Sequence, residues 1–105
     1  MQPDQAQLDD LVRRIVDAVH PLRIILFGSA ARGEMGPDDD VDVMVVVPEG
    51  TSHKQTIKDL YTRVDGGGLA LDYRVSTPSD LEEYATACGT AQYKVAREGR
   101  ELYAT

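Results

Sequence analysis

One dipeptide and three carboxylates carry the chemistry that this sequence offers. Gly28-Ser29 closes an apolar run, Arg23-Ile-Ile-Leu-Phe-Gly28. A glycine there lets a phosphate approach the backbone closely, and a serine hydroxyl with nearby backbone N–H groups can bond its oxygens. Asp40 and Asp42 flank Val41 at the head of a valine-rich run. Within a strand, residues i and i+2 point to one face, so both carboxylates would aim at one point. They repel unless a cation sits between them. Oxygen donors of this kind suit Mg2+ or Mn2+, completed by water and substrate phosphates. Asp72 lies on the polar face of a later alternating run. If that run pairs beside the one carrying Asp42, Asp72 joins the same cluster.

Taken singly, each feature has an ordinary reading. A Gly-Ser after a strand is most often only a turn. Acidic residues at 38–42 are most often a solvated loop, and a lone Asp72 an exposed edge position. Their order is far more specific: Gly28-Ser29, ten residues, then Asp-x-Asp leading directly into valines.

The elements that must position these groups follow from pattern. Leu8, Leu11, Val12, Ile15, Val16 and Val19 recur at helical spacing, which predicts an amphipathic helix over 4–19, capped by Asp4 and ended by Pro21. Residues 23–28 read as a buried strand, and 31–40, with Gly33, Gly36 and Pro37, as a loop. The β-branched run 41–47 predicts a strand. A helix follows over 52–64, with Ile57, Leu60, Tyr61 and Val64 on its apolar face, and then a turn at Gly66-Gly67-Gly68. Residues 69–75 alternate with a period of two. Thr77-Pro78 starts a helix over 78–87, and another spans 91–98 with Gly99 at its end. Residues 101–104 add a short strand. This order gives an α/β layered fold, a small mixed sheet with helices packed on it.

Composition narrows the class further. A chain of 105 residues suits a single domain, 1–105. With 18 acidic and 11 basic residues the formal charge is −7, which argues against unaided binding to nucleic acid or an anionic membrane. Residues 32–42 alone carry a net −4. One cysteine, Cys88, permits no intrachain disulfide and fits a reducing, cytoplasmic compartment. The start, Met1-Gln2-Pro3-Asp4-Gln5, lacks a basic n-region and an apolar run, so it does not read as a signal peptide. One Cys and two distant His make no zinc site. His20, His53, Cys88 and the tyrosines read as structural, and Arg74 as facing away from the site.

Gly28-Ser-Ala-Ala-Arg-Gly33 followed by Asp40-Val-Asp42-Val-Met-Val resembles the signature of the DNA polymerase β-like nucleotidyltransferase superfamily. The small size is similar to its minimal nucleotidyltransferase (MNT) group. The likeness extends from the leading helix to Ala96-Arg-Glu-Gly-Arg-Glu-Leu-Tyr103. It implies that Gly28 and Ser29 bind nucleotide phosphate, that Asp40 and Asp42 are paired metal ligands, and that Asp72 is a third metal ligand and the base for the attacking hydroxyl. Arg32 sits at the motif's arginine, touching the triphosphate or bracing the loop. Asp39 replaces a common serine, and Ala30 a frequent Arg or Lys.

The resemblance further implies two Mg2+ ions, with Mn2+ as a substitute, and ATP as substrate. Minimal members resemble antitoxins paired with a HEPN-domain ribonuclease toxin, transferring AMP to a toxin tyrosine. With no room for an acceptor domain, the acceptor site would come from a partner or from self-association. Two other readings stand beside this one: transfer to a small molecule with a second subunit, and a non-catalytic module that neutralises a toxin by contact.

Overall fold

A computed structural model describes residues 3–36 and 38–105; expectations for Met1, Gln2 and Pro37 lie outside the described residues. The chain runs α1 (Gln5–Val19), β1 (Arg23–Phe27), α2 (Gly28–Arg32), β2 (Val41–Val46), α3 (His53–Arg63), β3 (Leu71–Ser76), α4 (Pro78–Glu83), α5 (Ala91–Glu98) and β4 (Arg100–Ala104). The strands form one sheet in the order β3-β2-β1-β4. β1 is antiparallel to β2 and β4, whereas β2 and β3 run parallel. The sheet is therefore mixed, as the sequence predicts, and α3 makes the crossover that a parallel pair requires.

Local chemistry explains the helix ends. Asp4 accepts from the Gln7 backbone N–H at 2.8 Å while the Gln7 side chain accepts from Asp4 N–H at 3.0 Å, a reciprocal cap. Ser52, Thr77 and Thr90 cap α3, α4 and α5 with a hydroxyl that accepts from the backbone N–H three residues on. His20 takes the left-handed conformation that ends α1 before Pro21. The glycine triplet closes a turn, with Leu69 N–H donating to the Gly66 carbonyl at 3.1 Å.

The sheet is packed on both faces. Ile24, Leu26, Val41, Val43, Val45 and Tyr73 meet Leu8, Leu11 and Ile15 of α1 and Leu60 of α3. On the other face Ile25, Phe27, Met44 and Val46 pack with Val95 of α5. Central β2 is thus apolar on both sides, which accounts for its unbroken valine run. Asp42 is the one residue of β2 that is not fully buried. It heads the row Asp42, Met44, Val46 on the α4/α5 face.

Three expectations are corrected. Residues 28–32 form a one-turn helix rather than entering a loop, because Gly28 turns the chain at φ +70° and Gly33 closes it at φ +71°. α4 stops at Glu83, where Tyr84 N–H bonds back to the Asp80 carbonyl and turns follow. Tyr61 is 53% exposed rather than core. Its hydroxyl instead accepts from Tyr73 N–H at 3.0 Å on the sheet edge.

Candidate active site

The carboxylates are placed by the β2/β3 ladder. Asp42 and Asp72 are register partners in the parallel pair. Paired residues on neighbouring strands share a face, so both carboxylates project on the α4/α5 side. Burial raises the Asp42 carboxyl above its usual range, and the facing Asp72 carboxylate raises it further; Lys94 and Arg74 pull the other way. These residues, with Phe27, Gly89 and Ala91, line a cleft of about 260 Å3. A larger groove of about 630 Å3, lined by Leu22, Val46, Leu81 and Val95 among others, lies at the opposite end of the same face. It holds no carboxylate pair, so the smaller cleft is the candidate site.

Gly28 brings the turn against this pair. On the α2 side of β1 it adopts φ +70°, and a Cβ there would stand 2.3 Å from Asp42 Oδ2. Only glycine leaves the carboxylate room beside the backbone. Ser29 follows, half-buried, and among the described residues its hydroxyl has no protein partner.

Asp40 is set apart from Asp42 and Asp72. It is exposed and precedes β2, whose first residue is Val41. The rule that i and i+2 share a face holds inside a strand, and Asp40 lies just outside it. Among the described residues no group of three or more His, Cys, Asp or Glu stands ready to hold a metal. Asp42 and Asp72 still fit a cation. They are two half-buried oxygen donors on one face beside a glycine cradle, and Asp72 disfavours the charge on Asp42, which a hard divalent ion would relieve.

Arg32 braces. Its Nη1 donates to Glu98 Oε1 and Oε2 at 2.9 and 2.8 Å, and its Nε to Glu34 at 3.1 Å. These contacts raise the guanidinium's already high pKa. Of the two roles expected for Arg32, the geometry matches the bracing one.

Three residues were missed by sequence reasoning. Arg74 was expected to face away, and the structure overturns this: its Nη2 lies 3.5 Å from Asp72 Oδ2. The signal was present, since positions 72 and 74 share a face in any strand. Lys94 lines the cleft and Glu98 bonds the turn. Their i, i+4 spacing on α5, on either side of buried Val95, marks one face turned toward the sheet.

Comparison with known proteins bears on the fold and the family. A chain from the crystal structure of a toxin–antitoxin with AMP-PNP superposes with TM-score 0.61 at 16% identity, covering 93% of this chain and 73% of that one. A chain described as a nucleotidyltransferase from Sulfolobus solfataricus gives TM-score 0.58 at 14% identity, covering 99% of this chain and 92% of that one. At such identities the likeness is one of fold. No curated protein matches the chain. The family model described as "Nucleotidyltransferase domain" matches residues 8–102. With that match running from α1 into β4, the chain belongs to the nucleotidyltransferase domain family.

Proposed function

We propose that residues 1–105 act as a single minimal nucleotidyltransferase that moves AMP from ATP to a hydroxyl of a partner protein. The observation that carries this reading is the Asp42–Asp72 pair facing one cleft beside the Gly28-Ser29 turn. Family membership and a fold neighbour described with AMP-PNP support the nucleotide. Asp42 and Asp72, with Asp40 as the third carboxylate, would hold Mg2+ or Mn2+. When bound, two divalent ions offset charge on the triphosphate and make the acceptor hydroxyl more acidic.

The chain's own residues supply the rest. The Gly28-Ser29 turn offers a close backbone approach and a free hydroxyl to phosphate oxygens. Lys94 and Arg74 give the cleft positive charge for the triphosphate. The acceptor oxygen bonds the α-phosphorus as the bond to the bridging oxygen breaks. Pyrophosphate leaves, and the hydroxyl proton passes to the Asp72 carboxylate.

The acceptor is a tyrosine of a HEPN ribonuclease toxin, and the chain its antitoxin in the cytoplasm. The toxin–antitoxin origin of one fold neighbour and the acidic balance of −7, suited to a basic RNA-cleaving partner, support this. The test is incubation with α-labelled ATP, Mg2+ and the product of the adjacent gene. Label on that protein from wild type but not from Asp42→Asn is expected; equal behaviour of the two would refute transfer. The separation of Asp40 from the pair favours one second reading, neutralisation by contact alone. That reading requires Asp40→Asn/Asp42→Asn to protect cells as well as wild type.

A further inference from the structure

Glu98 ends α5, and its carboxylate reaches across to α2. Gly28 N–H donates to its Oε1 at 3.2 Å, and Arg32 Nη1 donates to both carboxylate oxygens at 2.9 and 2.8 Å. The Glu98 side chain is only 25% exposed, so these are contacts in partial shelter from water. Gly28 and Arg32 are residues expected to hold a nucleotide's phosphates. In the structure they hold a carboxylate of the chain itself. With Glu34 also on Arg32, the cluster's formal charge is negative. Arg32 therefore has no spare positive charge to give. The cations that face Asp42 and Asp72 are Lys94 and Arg74.

Gly99 brings Glu98 to this place. A Cβ on Gly99 would stand 2.4 Å from the Val95 carbonyl oxygen and 2.8 Å from Ile25 Cγ2. Its absence lets the end of α5 close on its own Val95 carbonyl and lie against Ile25 of β1, from where the Glu98 carboxylate reaches Gly28 at the β1–α2 junction. Gly28 is then held from two sides. Glu98 takes its N–H, and Asp42 fills the space where a Cβ would be.

We propose that Glu98 is a positioning residue of the site, whose carboxylate latches the Gly28-Ser29 turn to α5 through Gly28 N–H and Arg32. Arg32 is part of that latch and not a ligand of the triphosphate. The consequence for nucleotide binding rests on the nucleotidyl-transfer reading. The opposite assignment makes the opposite prediction. If Arg32 were a phosphate ligand masked by Glu98, removing Glu98 would free it and tighten binding.

The test is calorimetric binding of ATP with Mg2+ to the full chain, with the Gly28 amide followed by NMR. Glu98→Ala and Arg32→Ala should each weaken binding about tenfold, and the double variant no further, because both break one device. Glu98→Gln keeps an acceptor for both donors and should stay within about threefold of wild type. Gly99→Ala keeps every latch side chain but displaces the end of α5 that carries Glu98, and should weaken binding like Glu98→Ala. The Gly28 amide should lose exchange protection in Glu98→Ala and keep it in Glu98→Gln. Tighter binding by Glu98→Ala, or additive losses in the double variant, overturns the latch. A wild-type chain that binds no ATP overturns the transfer reading alone, and the Gly28 amide then decides the latch.

Discussion

Asp42 Oδ2 occupies the space that a side chain on Gly28 would need, 2.3 Å from the position of its Cβ. Gly28→Ala therefore has two separable effects. Its φ of +70° costs an L-residue about 1–2 kcal/mol of stability. The carboxylate, being the free end of a side chain, swings aside rather than breaking the fold. Transfer should fall by about tenfold or more while the chain still melts cooperatively. A thermal melt and a labelled-ATP assay on the same preparation separate the two effects.

Removing one charge of the Asp42–Asp72 pair should abolish transfer without destabilising the metal-free protein. The pair's mutual repulsion and the burial of Asp42 disfavour the folded state at neutral pH. Asp42→Asn is expected to melt no lower than wild type in chelator. Wild type should gain melting temperature on adding Mg2+, and the variant should lose most of that gain. Differential scanning calorimetry with and without Mg2+ checks both.

Asp40 separates catalysis from fold more cleanly still. It is exposed and precedes the ladder, so Asp40→Asn should change stability by less than about 0.5 kcal/mol. Under the proposed function, in which it is a metal ligand, it should nonetheless be needed for transfer. A variant that is stable and inactive agrees; one that is stable and fully active removes Asp40 from the site.

Tyr73 makes an alkaline prediction. Its hydroxyl is buried without a hydrogen-bond partner among the described residues. Burial, with a smaller effect of Tyr61, pushes its pKa up to about 12 from 10.0. The unfolded chain thus loses the phenolic proton first as pH rises. The neutral hydroxyl's contribution is complete below pH 10 and declines between 10 and about 12. The full loss approaches about 2–3 kcal/mol. Tyr73→Phe should remove this alkaline decline and be neutral to slightly stabilising at pH 7, since no partner is orphaned. Urea melts from neutral to alkaline pH measure it.

Much of this architecture is legible in the residue pattern, and the exceptions are physical. α5 has the predicted limits because Thr90 and Gly99 mark both ends. β2 was visible in its β-branched run. α2 was not, since one turn is too short to show a helical period and the glycines around it read as loop. Asp42 and Asp72 were paired correctly because alternation fixes the face once the strands are neighbours. Asp40 could not be placed by the same rule, because the residue at which the ladder begins is set by tertiary pairing. Tyr61 read as core from its spacing, but its hydroxyl serves the Tyr73 N–H instead. The bond between Arg32 and Glu98, 66 residues apart, leaves no local trace in the sequence.

The parallel register of β2 and β3 also acts as a ruler. Asp42 and Asp72 stand on adjacent strands whose axes a hydrogen-bonded ladder holds about 4.8 Å apart. β2 lies inside the sheet, covered on both faces, so an ion cannot draw the two backbones together or push them apart. The ladder thus fixes the distance that the two side chains have to span, while Asp40 is carried on chain outside it. Under the proposed function, discrimination between a small cation and a large one would rest on that span, which the sheet sets and the ion does not.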